Sequence, residues 1–151
     1  MMDSSCWTGD RGPVLMLSSK IRYEVKPNVP DAALNELFAN AWESSAPTAS
    51  RSVLAHFLTY ICAFDGARLI GFVHVAWDGG IHGFILDTTV HRDYQRRGIG
   101  TELMRQASEV SREHGIEWLH VDFEPRWEQF YRGCGYQPTA AGLLHLLESD
   151  I

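Results

Sequence analysis

Cysteine is scarce in this sequence, and the little there is forms no pattern. Cys6, Cys62 and Cys134 are the only three in 151 residues. Their number is odd and their spacing matches no zinc-ligand series, so neither a disulfide framework nor a structural metal organises the chain, and no metal is expected. Reduced thiols are the default reading. Long apolar runs are also missing. Nothing approaches the ~20 residues needed to span a bilayer, so no membrane association is expected. The apolar run Val14 to Leu17 is too short for the core of a signal peptide, which makes a cytoplasmic location the expectation. Positive charge is in deficit: 13 Lys and Arg stand against 19 Asp and Glu, a net charge of −6. A nucleic-acid backbone calls for a basic face, so no nucleic-acid partner is expected. The same balance suits a cationic substrate such as an amine, although acidity also commonly serves solubility. Internal repeats and low-complexity tracts are absent. What remains is 45% hydrophobic and 21% charged, the composition of one globular domain with a core of its own.

Residues 1–20 mix Ser, Gly, Asp and Pro13 without a period and read as a flexible leader, within which Met16 stands as an alternative start. Residues 21–151 read as the single domain. Ile21 to Val25 alternates as a first strand. Pro30 then opens a helical pattern, with Leu34, Leu37, Phe38, Ala41 and Trp42 on one face. Ser44 to Ser50 is a loop, followed by a short helix to about Phe57 that Ser50 or Ser52 caps. Leu58–Phe64, Arg68–Trp77 and His82–Val90 form a three-stranded meander, joined at Asp65-Gly66 and Asp78-Gly79-Gly80. A long amphipathic helix follows on Ile99, Leu103, Ala107 and Val110, with Gly115 as its stop signal. Ile116 to Phe123 reads as a strand, Pro125 starts a short helix, and Tyr136 and Leu143 to Leu147 read as final strand material. The order β-α-α-β-β-β-α-β-α-β predicts an α/β domain with a mixed sheet and helices on both faces.

The most informative segment is the turn between the third meander strand and the long helix. Gln95-Arg96-Arg97-Gly98-Ile99-Gly100-Thr101 leaves backbone N–H groups free at a helix N-terminus. Unpaired donors and the positive dipole end point the same way there, which favours an anion. Gly98 and Gly100 remove side chains that would obstruct a phosphate, and Arg96 and Arg97 add positive charge. A dinucleotide fingerprint would need a third glycine at Leu103, and a P-loop would need Gly-Lys-Ser/Thr. Taken alone, the glycine pair is equally consistent with a tight structural turn.

Two motifs in order change that balance. Gln95 to Gly100 resembles the coenzyme A loop of the GNAT acetyltransferase superfamily, Q/R-x-x-G-x-G/A. Phe130-Tyr131-Arg132-Gly133-Cys134-Gly135-Tyr136 resembles its second signature, F-Y-x-x-x-G-F/Y, at the family's spacing. The resemblance covers residues 21 to 147. It implies a splayed GNAT-like sheet, acetyl-CoA as cosubstrate, and acetyl transfer to a primary amine of a small molecule or peptide. It puts the pantetheine arm along Thr89 and Val90, the Val90 N–H on the thioester carbonyl, and the pyrophosphate on the backbone of Gln95 to Thr101. It makes Tyr131 the general acid for the departing thiolate. Family habit also suggests a homodimer.

The match departs from the family in N-x-x-A-x-x-F-Y, whose Asn and Ala positions hold Glu124 and Trp127. The cofactor contact of that asparagine does not carry over, and Glu124 is expected to face the acceptor amine instead. An alkyl ammonium has no lone pair, so a proton acceptor or water chain is required. Two-residue alternation puts His82, Phe84, Leu86 and Thr88 on the face where family bases often lie, and its inner positions are apolar. The candidates are Glu124, Asp122, His120, Asp87 and His82, with Glu124 first because it adjoins the Tyr131 helix. His74 and His145 read as structural, and Cys134 as a small hydrophobe. A CoA-binding sensor or interaction module without catalysis is the alternative, and so is a generic α/β domain.

Overall fold

The computed structural model describes residues 20–42 and 51–147. The expectations for the leader (Lys20 apart), for Cys6 and for the loop 44–50 lie outside the described residues. The elements are β1 (Arg22–Val25), α1 (Asp31–Ala41), α2 (Arg51–Leu54), β2 (Thr59–Asp65), β3 (Arg68–Trp77), β4 (His82–Val90), α3 (Ile99–Glu113), β5 (Trp118–His120) and α4 (Glu128–Gly133). They build a five-stranded sheet in sequential order β1-β2-β3-β4-β5. The first three pairings are antiparallel and β4–β5 is parallel, with α3 as the crossover that parallel strands require. The architecture is α/β with helices on both faces, as the element order predicts.

Helical spacing in α1 sends Leu34, Leu37, Phe38 and Ala41 into one core with Phe72 and Leu69. On the opposite face α3 buries Ile99, Leu103, Met104 and Ala107 against Ile61, Val73 and Val75, and α4 adds Phe130 and Tyr131. β3 lies between the two cores and is buried along most of its length. Gly71 lets α3 come that close: a Cβ there would stand 3.1 Å from both Ala63 Cβ and Leu103 Cδ1. In the β2–β3 hairpin, Gly66 takes φ +60°, a conformation that a side chain disfavours.

Three expectations are corrected. β4 does not alternate evenly. Its register on β3 jumps between Phe72↔Thr89 and His74↔Leu86, with Asp87 at φ +52°. This is a β-bulge, and the extra residue shifts the phase of all that follows. Thr88 therefore turns to α3, where its hydroxyl meets Met104 Sδ at 3.7 Å, and Thr89 joins the face of His82, Phe84 and Leu86. The second correction concerns the strand read over 116–123, which pairs only at Trp118–His120. Beyond that the bulged β4 and the chain after β5 separate, so no ladder forms. The third concerns the last strand. Residues 137–147 are irregular, and Leu143, Leu144, Leu146 and Leu147 are exposed. Apolar residues alone do not make a strand when no described neighbour pairs with them.

Candidate active site

The site is built where β4 ends and α3 begins. His91 N donates to Ile70 O at 2.8 Å, so these two residues form a hydrogen-bonded pair of the antiparallel ladder. The adjacent pair Gly71↔Val90 is then non-hydrogen-bonded, and Val90 turns its N–H and C=O away from β3. β5 pairs with β4 only as far as Phe84, so these groups face the open gap between the strands. The Val90 carbonyl is taken by Gln95 Nε2 at 3.1 Å. Its N–H points into the same gap.

The loop after β4 is held by side chains. Arg92 N donates to Asn40 Oδ1 at 2.9 Å, Tyr94 Oη donates to Asp65 Oδ2 at 2.5 Å, and the Arg97 guanidinium lies 5.2 Å from the centre of the Tyr94 ring. Arg96 (φ +62°) and Gly98 (φ +79°) both take left-handed backbone, which turns the chain abruptly into α3. The bond from Glu102 N to Gly98 O, 3.0 Å, is the first intrahelical one, so the N–H groups of Ile99, Gly100 and Thr101 have no carbonyl partner within α3. Thr101 Oγ1 is buried without a hydrogen-bond partner, and no atom lies within 4 Å of where a Gly98 Cβ would be. Orphaned donors, an orphaned hydroxyl and open space together fit a phosphate group. A groove between α3 and α4 continues from Thr101 past Met104 and Ser108 to Gly133 and Cys134.

Tyr131 packs on the α3 side, 1% exposed, stacked on Phe123 at 4.7 Å between ring centres. Burial raises its phenol well above the usual range, partly offset by a hydrogen bond with Thr88. That contact seats Tyr131 beside the bulged end of β4, in the same core cluster as Val90. Even alternation puts Thr88 on the face of Leu86, so the sequence does not mark it as a partner of Tyr131.

The base candidates scatter. Glu124 is exposed and paired with Arg126 at 2.7 Å. His82 Nδ1 and His120 Nε2 are 2.8 Å apart at the exposed start of β4, with Phe84 stacked on His120. Asp122 is exposed, and Asp87 sits at the bulge with Oδ2 3.7 Å from His74 Nε2. His145 lies exposed in the irregular tail, and Cys134 is half-buried against the core. Among the described residues no group of three or more His, Cys, Asp or Glu is placed to hold a metal, and no helix is long and apolar enough to cross a membrane.

An open mixed sheet, parted beside a helix N-terminus whose first N–H groups lack carbonyl partners within the helix, defines the class of α/β domain. Comparison with known proteins narrows the class. The model of the acetyltransferase (GNAT) family matches residues 31–136, and the chain belongs to that family. It is 33% identical over 72 residues to the uncharacterized N-acetyltransferase ycf52 of Porphyra purpurea, a match covering 48% of this chain and 41% of that one. The chain thus matches less than half the length of this curated relative. A GNAT family acetyltransferase from Streptococcus pneumoniae TIGR4 superposes with a TM-score of 0.70 at 23% identity, covering 83% of this chain and 96% of that one. The aminoglycoside N-acetyltransferase AAC(6')-Iy in complex with CoA superposes at 0.68 with 15% identity, covering 84% and 94%.

Proposed function

We propose that the protein transfers an acetyl group from acetyl-CoA to a primary amine of a small molecule or peptide. The observation that carries this reading is the Val90 N–H, turned into the gap between β4 and β5, on the strand that leads to helix-start N–H groups without carbonyl partners in α3. Gln95 to Thr101 hold the pyrophosphate: Ile99, Gly100 and Thr101 by backbone N–H, Arg96 and Arg97 by charge, Gly98 by leaving room, and Gln95 by bracing the loop. The pantetheine arm runs along Thr89 and Val90, as it does in the family that the sequence resembles. CoA-bound relatives of the same fold support the choice of cofactor.

The amine gives up a proton and its nitrogen attacks the thioester carbonyl carbon. Negative charge gathers on the carbonyl oxygen, where the Val90 N–H is a fixed donor. The C–S bond then breaks, the amide remains, and the thiolate leaves. Tyr131 stays protonated at neutral pH and supplies the hydrogen bond, then the proton, to that sulfur. Glu124 is the proposed proton acceptor for the amine, and it must first part from Arg126.

The test is CoA binding by calorimetry together with a primary-amine panel assayed by thiol release. Binding with amine-dependent release supports the transferase. Binding without release on any amine leaves a CoA-binding sensor, and absence of binding removes both.

A further inference from the structure

His74 is the most deeply buried imidazole in the described chain, and the reaction as described does not use it. It is 2% exposed in the middle of β3, and neither ring nitrogen has a hydrogen-bond partner. Its ring is stacked on Phe57 at 3.9 Å and meets Phe72 edge-on. A core position filled only for packing would take an apolar ring, since orphaned nitrogens carry a desolvation cost. What lies beside it is Asp87, with Oδ2 3.7 Å from Nε2. Asp87 is held at φ +52° by the β4 bulge, a conformation uncommon for a residue with a side chain. Bulges commonly re-aim a side chain, and this one brings the carboxylate to the α1 face of the sheet.

Asp87 is the one carboxylate that β3, β4 and β5 contribute to that face. Its neighbours along β4 are apolar and uncovered: Phe84 is 39% and Leu86 36% exposed. At the other end Trp42, half-exposed at the end of α1, donates from Nε1 to Thr89 Oγ1 at 3.0 Å. That bond ties the strip to the residue beside Val90, where the acyl group would lie. One carboxylate beside the uncovered pair Phe84 and Leu86 matches one ammonium on an apolar body, with His82 and His120 at the far end of the strip. A polyamine would need a second carboxylate, and β3, β4 and β5 place none on this face.

We infer that the Asp87 carboxylate, positioned by His74, anchors the acceptor as it arrives as an ammonium, before its proton passes to Glu124 and the freed nitrogen attacks, and that the acceptor is a small monoamine with an apolar or aromatic body. This rests on the transferase reading and specifies its second substrate.

The test compares phenethylamine and tryptamine with spermidine and glucosamine, on the native chain and on Asp87→Asn and His74→Phe. Asn tolerates left-handed backbone, so Asp87→Asn preserves the bulge. Phe keeps the stack on Phe57 and removes both nitrogens. The aromatic amines should show kcat/KM at least tenfold above spermidine and glucosamine. Asp87→Asn should raise the KM for amine at least tenfold with the KM for acetyl-CoA unchanged. His74→Phe should raise the amine KM severalfold at constant kcat, a split that lost packing would not produce. Equal use of spermidine, or an Asp87→Asn enzyme with native amine KM, overturns the assignment and leaves the transferase standing. Amine binding to the CoA complex is also measured by calorimetry. If no amine turns over, loss of tryptamine binding in Asp87→Asn still supports the anchor, and unchanged or absent binding overturns it.

Discussion

Gln95 Nε2 donates to the Val90 carbonyl at 3.1 Å, so the loop between β4 and α3 is fastened to the end of the strand that it follows. The bond occupies the carbonyl and leaves the neighbouring N–H to the gap. It also sets where the loop stands before Arg96 and Gly98 turn it into α3.

Gln95→Ala is therefore expected to act on the cofactor and little on the fold. One neutral hydrogen bond is worth about 1 kcal/mol net, which corresponds to roughly a fivefold loss of affinity if the loop must be reordered on binding. Calorimetry with CoA gives the dissociation constant, and a melting curve checks the fold. An unchanged constant would show that the brace contributes nothing to binding.

Gly98 separates backbone strain from crowding. At φ +79° a side chain is disfavoured, yet no atom lies within 4 Å of its would-be Cβ. Gly98→Ala should then cost about 1–2 kcal/mol through conformation alone. For a chain of this size each kcal/mol lowers the melting temperature by roughly 2–4 °C. CoA affinity should also fall, because relaxing the turn tilts the donors of Ile99 and Gly100. A variant with native melting and native affinity would mean that the loop accommodates left-handed alanine without strain.

His74 links stability to pH. Burial lowers its pKa from 6.5 to about 4. The unfolded chain takes up the proton from about pH 6.5 downward, whereas the folded chain resists until about pH 4. Stability from this residue is fully present above the higher value and is lost as pH falls toward the lower one. The loss reaches at most about 3 kcal/mol. Urea midpoints for native chain and His74→Phe should diverge between pH 7 and pH 4.5, with the variant falling less. Parallel curves would show that the native ring never resists protonation.

Much of this arrangement was legible in the sequence. β3 and β4 have the bounds that alternation and the Asp-Gly turns predict, and the buried face of α1 is the one its spacing defines. The abrupt turn into α3 was legible because Gly98, at φ +79°, records backbone geometry directly. The face of Thr88 was not, since a bulge is a departure from period two and Asp87 carries no turn-residue signal strong enough to announce it. Nor could the sequence tell that Glu124 would pair with Arg126, a neighbour two residues on that competes for its charge. From sequence His74 reads as structural, because a histidine amid apolar residues of a strand shows nothing of its unpartnered nitrogens.

The last prediction concerns Tyr131. Replacing it by Phe removes one hydroxyl and keeps the stack on Phe123, so packing should change little. The phenol is held above its usual pKa by burial, whereas a thiol ionises near 8.5. Full proton transfer to the thiolate is then uphill. The hydroxyl contributes chiefly as a hydrogen bond that strengthens while charge builds on sulfur. General acids are typically worth 10²–10⁴-fold, and this mismatch puts Tyr131→Phe near the lower end, about a hundredfold in turnover. Affinity for acetyl-CoA should stay within about twofold, because the lost contact belongs to the transition state. A purely structural tyrosine predicts the opposite pattern. Turnover would hold, and stability would drop by about 1 kcal/mol for the lost bond with Thr88. Steady-state kinetics and melting on one purified variant separate the two. A well-folded Phe enzyme with native turnover would falsify the acid assignment and leave solvent to protonate the sulfur.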